Sequence, residues 1–598
     1  MATKKPAINY TNRDFQSIRA DLESYVRRYY PDNYRDFTEA SFGAMMLDTV
    51  AYVGDMLSFY TDYQANESFL DTAIEYDNVL KLSRQMGYRY SPYPSSFGVC
   101  DFYITVPVEA GSQSPDENYM PILRKGSTFL SSGGSVFSLL EDVNFALSEN
   151  PIVVANQDVD TGNPSTYAVR AAGQVVSGEL AVQEVQVSSY TPFLRIGLVG
   201  ENISEVVSVF DDKGNQYFEV DYLSQDVLYV SVINRNSNNS TVPYILKPVS
   251  VSRRFRVDST PDGLYLQFGQ GSEETPVEVK DPSEVILQLH GKDHVSDTSF
   301  DPSILNQTDN LGVAPSNTTL TIIYRINREE NVNAAAQTIT RIGTVDFSFP
   351  ADQQGQLSET KIDDVTTSLA VLNEDPIIGD VGVISTDEIK ERARANFASQ
   401  YRAVTKQDYI GIAYNMPSKY GKFKRVALEL DSDSYNQRNL NYYVISEDID
   451  GFLATSNNTL KNNLKTWINQ YKMINDTIDV LDAKICNVGI EYKIVPFPGT
   501  NKYDLLVEAN TTLRDAFTKD FYIGEPIIVT DIYQILKSVP NLLDVVDVQL
   551  TVKSGANYAD SPISIGDALS ADGRFLFPPS DTIFEFKYPD LDIGGTIQ

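Results

Sequence analysis

The stretch from Ser41 to Ser96 constrains this chain more than any other. From Phe42 to Asn66 it contains no proline, and its apolar residues recur at helical spacing. One stripe is Leu47, Val50, Ala51, Gly54 and Leu57. A second is Met45, Tyr52, Met56, Phe59 and Tyr63. Val50 and Tyr52 are separated by about 200° on a helix of 3.6 residues per turn, so the stripes face nearly opposite ways. Asp48, Asp55 and Asp62 recur at every seventh position and predict a single narrow solvent-facing edge. A helix that is apolar on most sides has to be buried on most sides. At 1.5 Å per residue it is about 39 Å long, more than the width of a small domain. Either a large body of the same chain encloses it or other chains do, and the second reading is favoured.

The chain has 598 residues and a formal net charge of −33, from 81 acidic and 48 basic residues. That length allows several domains. The acidity argues against nucleic-acid binding, which requires Lys and Arg to neutralise phosphate. It argues equally against anionic membrane surfaces. The polar N-terminus lacks the apolar core of a signal peptide, and no run is long and apolar enough to span a bilayer. No direct membrane insertion is expected. Cys100 and Cys486 are the only cysteines, which rules out a disulfide framework and suggests a reducing compartment. Tyrosine is abundant (36) and tryptophan nearly absent (1). Tyrosine suits surfaces that are exposed before assembly and covered afterwards, and equally suits sheet edges.

Four segments resemble the baseplate J-like family in the same order along the chain. The first is the run from Gly43 through ESFLDTA to LSRQMGY, with its Pro-rich exit. The second is PILRKGSTFLSSGGSVF (121–137), the third LQFGQGSEETP (266–276) and the fourth QYRAVTKQDY (400–409). NLGVAPSNTTL and NVNAAAQT within 310–338 extend the likeness, which is greatest to the large wedge subunits of T-even-type contractile-tailed phages. One departure is visible: Glu273 and Glu274 follow QGS where a glycine is expected, which puts the tightness of that turn in question. The resemblance implies a structural wedge subunit in the virion's tail baseplate, assembled in the host cytoplasm. It implies that copies pair within a wedge and join other wedge proteins through a helical bundle. It further implies that neighbouring wedges close into a sixfold inner ring around the hub, and that the ring transmits the change that triggers sheath contraction. It implies no enzymatic activity and no cofactor.

The fold class expected is multidomain α+β. Residues 1–98 form a helical bundle segment and linker, 99–350 one or two antiparallel β-rich domains, 351–430 a helical connecting segment and 431–598 an α+β ring-contact domain. A capping box at Thr11–Asp14 opens a helix with inner residues Phe15, Ile18, Leu22, Val26 and Tyr29, ended by Pro31. Thr72 and Glu75 signal another start, and Gly87 a stop. Alternation marks strands at 182–187, 227–232, 264–268 and 320–326. A helix from Thr386 reaches Tyr401, and a second starts at Gln407. Later helices are expected at 456–471, 505–517 and 530–538, with strands at 477–494 and 545–552 and an extended aromatic tail bearing Phe584, Phe586 and Tyr588. Hinges are placed at Pro92, Pro94 and the polar stretch 353–356.

Catalytic signatures are scarce. His290 and His294 are the only histidines, and Gly291 between them argues for a loop, not a metal-binding helix face. No nucleophile-elbow, zincin or Walker sequence is present. Gly269-Gln270-Gly271 is a lone G-x-G, read as a turn needing glycine freedom. Arg402 is a candidate partner of Asp408, either as a rigid corner within the chain or as a dock for a neighbouring subunit; Thr405 and Asp408 have capping-box spacing. A β-rich host-glycan-binding tail module is the alternative function, and a wall-cutting carboxylate pair is disfavoured.

Overall fold

The computed structural model describes the chain apart from residues 1–12, 32–37, 39–40, 89–92, 110, 158–162, 201, 234–243, 261–262, 273–310, 328–330, 351–356, 432–438, 518–520, 556 and 561–562. The hinge candidates Pro92 and 353–356, His290 and His294, and Glu273 and Glu274 lie outside the described residues. The fold is multidomain α+β, with a helical N-terminal segment, antiparallel sheets and a C-terminal α+β part.

Helix α1 spans Phe15–Tyr29, α2 Phe42–Glu67 and α3 Tyr76–Gln85. The first cap differs from the Thr11–Asp14 expectation. Asp14 is itself the N-cap, accepting from the Ser17 amide at 2.8 Å while the Ser17 hydroxyl accepts from the Asp14 amide at 3.0 Å. Serine thus takes the place that Glu or Gln holds in the commoner box. Thr72 does not open α3; its hydroxyl donates to the Asn66 carbonyl at 2.6 Å, and the N-cap is Glu75. Gly87, at φ +89°, stops α3 as its sequence position implies.

Alternating runs then build two seven-stranded sheets. The long strands Phe97–Pro107 and Pro164–Ser177 pair antiparallel along their length at the centre of the first. Phe102, Phe129, Phe137 and Phe145 are fully buried beneath them. Ala370–Leu372 joins the same sheet, pairing with Asp101–Tyr103, so part of the expected connecting segment is woven into the β-rich body. The second sheet begins one residue after the first strand pair ends. Gly178, at φ +99°, turns the chain into the strand Glu179–Val187, which pairs with Thr318–Ile326. A Cβ at Gly178 would lie 2.6 Å from Asn327 Oδ1 and 2.8 Å from the Ile326 carbonyl oxygen. The second body is therefore inserted into the first, leaving at Gly178 and returning near Ala334, which bonds to Ile377 across a 2.8 Å bridge. Its own core includes Tyr217, Phe255, Leu266, Phe268 and Ile322.

The Gly269 turn is tight for a reason other than backbone freedom. A Cβ at Gly269 would meet the carbonyl oxygens of Gly312 and Leu311 at 2.1 and 2.2 Å, so close backbone approach excludes any side chain. The Pro-rich exit is pinned at its described end: Pro94, Ser95 and Ser96 are buried, Ser95 N–H donates to the Ser418 carbonyl and the Ser96 hydroxyl to Asn333 Oδ1 at 2.7 Å. That bonding opposes a hinge at Pro94.

Helices Lys406–Tyr414 and Asn458–Ile468 cover a sheet of Arg425–Leu430, Asn439–Glu447, Leu453–Ala454 and Thr477–Asp482, and the helix Thr386–Ser399 packs on the first of them, with Ala395 against Gly411. The helix expected at 456–471 is shorter because Asn457 caps it, accepting from the Leu460 amide at 2.9 Å. Leu460, Leu464 and Ile468 face inward, with Trp467 half-buried. The strand expected over 477–494 breaks at Ala483, whose N–H donates to the Val444 carbonyl. The following strand, Lys484–Pro496, is central to the last sheet, antiparallel to Leu542–Val552 and parallel to Thr582–Glu585 and Ile593–Ile597. Phe584 and Phe586 are buried in that core, while Tyr588 is half-buried against Tyr558 and Phe452. Cys100 and Cys486 are buried in separate cores, too far apart in the fold to be joined to each other; burial pushes the Cys100 thiol up to about 12.

Candidate assembly interface

Helix α2 is capped by Ser41, whose side chain accepts from the Ala44 amide at 3.1 Å. It packs antiparallel on α1: Ser58 Oγ donates to the Arg13 carbonyl, Gly54 lies under Ile18, and Asp48 pairs with Arg19 at 2.9 Å. Small residues make the approach close. Ala44 and Ala51 are buried, and a Cβ at Gly54 would stand 3.2 Å from Ile18 Cδ1. Asp48 therefore lies beside α1, and Asp55 and Asp62 on the same edge are half-buried with it, where the sequence pattern placed them in water. The Arg19–Asp48 pair stays partly exposed and contributes at most about 1 kcal/mol.

What faces outward is apolar. Val50, Leu57, Met45, Tyr52, Met56, Phe59 and Tyr63 are all exposed, with Leu57 at 62% and Phe59 at 65%. Leu47 is half-buried, and Ala51 and Gly54 leave its stripe to face α1. The two stripes thus do not share one fate: small residues turn inward and large ones outward. Phe42, Met46, Val53 and Tyr60 are exposed as well. Their signal lay in the spacing. Met45-Tyr52-Phe59 and Met46-Val53-Tyr60 are rows of period seven, the repeat of helices that supercoil about one another. Among the described residues, none of the six apolar clusters of the chain contains a side chain from α1 or α2.

The C-terminal end of α2 is fixed to the body. Glu67 accepts from the Ile74 amide at 2.7 Å and from Asn78 Nδ2 at 3.0 Å. Tyr63 donates to Glu75 at 2.8 Å, a bond that raises the phenol's pKa. Ala73, Val79 and Tyr88 pack on Ile389 and Ala393 of the helix Thr386–Ser399, and Arg394 pairs with Asp71.

The second candidate lies where that helix ends. Gln400 and Tyr401 both adopt the left-handed conformation, at φ +48° and +59°. Thr405 and Asp408 form the capping box their spacing implies: Asp408 Oδ2 accepts from the Thr405 amide at 2.8 Å, and Thr405 Oγ1 accepts from the Asp408 amide at 3.2 Å. Partial burial opposes ionisation of Asp408, but the Thr405 and Val404 amides outweigh it and hold the carboxyl below its usual range. Arg402 does not bond to Asp408. It is exposed and turns to Gln400 Oε1 at 3.4 Å, while the Tyr401 hydroxyl meets that of Tyr222 at 2.7 Å. The corner is thus knit by backbone capping and a tyrosine pair.

Among the described residues no group of three His, Cys, Asp or Glu could hold a metal ion, and no helix is long and apolar enough to cross a membrane.

Residues 14–85 match the family model described as "Bacteriophage baseplate protein, N-terminal domain", a span that holds both helices of the exposed hairpin. The match supports a structural role in a baseplate. No curated protein matches the chain. Among solved structures, one likeness is to a chain in "Cryo-EM structure of the anti-feeding prophage (AFP) baseplate, 6-fold symmetrised", at 8% identity and TM-score 0.26, covering 94% of this chain and 89% of that one. Another is to a chain of the type VI secretion system TssK-TssF-TssG baseplate subcomplex, at 8% identity and TM-score 0.23, covering 73% and 96%. Overlaps this loose carry no argument.

Proposed function

We propose that the chain is a wedge subunit of a contractile-tail baseplate and that its α1–α2 hairpin is its contribution to a helical bundle made with other chains. The observation that carries this reading is the outward face of α2. It presents seven-residue rows of Met, Val, Leu, Phe and Tyr to the exterior within the segment matched to a baseplate domain. A contiguous apolar surface of this kind marks an association site on a protein that is otherwise acidic. In the assembled tail, copies of the chain pair within a wedge, wedges join into an inner ring around the hub, and the ring passes on the change that precedes sheath contraction. Its role there is mechanical, not enzymatic, and it acts in the virion after assembly in the host cytoplasm. Among the described residues, the cleft lined by Asp101, Glu141 and Arg170 carries no aromatic side chain, which leaves the glycan-binding alternative without support there.

Leu57 and Phe59 are exposed, so replacing both with Asp leaves the described cores intact. The expected result of Leu57→Asp with Phe59→Asp is an unchanged thermal transition and loss of co-purifying tail proteins. Intact wedges recovered with the double variant would contradict the proposal.

A further inference from the structure

We propose that a cleft on the first β-sheet is a docking slot for a short, extended, basic segment of a partner chain. The slot arises from a break in the sheet. On one side, the strand Pro164–Ser177 pairs with Phe97–Pro107 without interruption from Val176 to Thr166. On the other side its neighbours are discontinuous. Val136–Leu139 pairs with it over Val175–Ser177, and Ile152–Gln157 pairs with it over Pro164–Val169. Between them no strand is paired.

The direction of the backbone groups in that gap follows from the bonds at its ends. Leu140 N–H donates to the Gln174 carbonyl at 3.0 Å, and Arg170 N–H donates to the Pro151 carbonyl at 3.1 Å. Ser177 N–H donates the other way, to Ser96. In an antiparallel ladder these directions alternate, so the N–H and C=O of Ala172 point into the gap. They offer one donor and one acceptor to an incoming strand. At ~3.3 Å per residue the interval from 171 to 173 is about 10 Å, room for about three residues of extended chain.

Above this edge lies an open cleft of about 580 Å³. Ala172 on its floor is small and exposed, and Val99 and Leu147 give it exposed aliphatic flanks. Gly173 backs onto Val143, where a Cβ would come within 2.5 Å, so the far side of the strand is closed by packing. The charge selects the occupant. Asp101 and Asp142 are already engaged, by Arg170 at 2.8 Å and by Arg124 at 2.8 Å. Glu141 and Glu149 also line the cleft, are exposed and form no ion pair among the described residues. Two free carboxylates beside an open strand edge suit Lys or Arg on an extended segment: the main chain supplies the pairing and the charge the selectivity.

The probe is a fluorescein-labelled peptide, Ala-Lys-Val-Arg-Val-Lys-Ala, titrated with the full-length chain and followed by anisotropy. Saturable binding is expected. Glu141→Gln with Glu149→Gln should weaken it at least about tenfold, the scale of a charge-assisted contact. The same peptide N-methylated at its central residues keeps its charge but cannot pair with Ala172, and its affinity should fall at least about tenfold as well. Equal binding of the methylated and parent peptides would overturn the slot and leave only attraction to an acidic surface. Equal binding by the double variant, or no parent binding at about 1 mM, would also overturn it. Because the double L57D/F59D change lies on α2, its peptide affinity should match the wild type; this separates the slot from the wedge reading.

Discussion

Lys422 is buried with only 6% exposure, next to the segment that carries Asp380, where its own N–H donates to the Gly379 carbonyl. Loss of hydration pushes its ammonium pKa down to about 7; the Arg392 guanidinium adds to this and the Asp380 carboxylate opposes it. Between about pH 7 and pH 10 the unfolded chain then binds more protons at this lysine than the folded chain, so its contribution to stability rises with pH. Lys422→Met removes that dependence. Relative to wild type, the variant's Tm should be highest near pH 7 and lose ground as pH rises toward 10. Scanning fluorimetry across that range checks it; a difference that is flat, or that moves in the variant's favour, contradicts the assignment. Neither this lysine nor the Asp edge of α2 was legible in sequence. Asp48, Asp55 and Asp62 read as a wet stripe because charge normally seeks water, but Ala44, Ala51 and Gly54 on the same side let α1 approach, and Arg19 answers Asp48. Small residues mark a packed helix face as surely as large ones do.

At the scale of elements, the turn at Gly178 decides how the two β-bodies are joined. It needs both a positive φ and the absence of a Cβ, since Asn327 and the Ile326 carbonyl stand within 2.8 Å of where that carbon would be. Gly178→Ala is expected to destabilise the chain by ~1–3 kcal/mol, read from chemical denaturation. A loss below ~0.5 kcal/mol would show that the junction yields, and that it does not rigidly couple the two sheets. The strands 182–187, 264–268 and 320–326 and the helices α1 and α2 were legible because each carries a clean period of two or 3.6. The insertion was not, because it depends on pairing between Glu179–Val187 and Thr318–Ile326, more than a hundred residues apart. Helix ends shifted where a cap outweighed periodicity, as at Asp14 and Asn457. The Arg402–Asp408 contact failed because Asp408 spends its oxygen on the Thr405 and Val404 amides.

For the molecule as a whole, an acidic, multi-core chain carries in α2 a helix whose large apolar residues its described cores leave uncovered. The exposed rows were legible as surplus apolar surface, and the structure adds which side α1 takes. The central claim is that other chains cover the remainder. Its most direct test uses Leu57→Cys, since Cys100 and Cys486 are buried and contribute little background. Maleimide labelling of Cys at this position is measured on the isolated chain and on tail assemblies purified from the native source. The account predicts rapid labelling of the isolated chain and at least about tenfold slower labelling in the assembly, as expected for a side chain sealed in a bundle core. Equal labelling rates in the two states would contradict it.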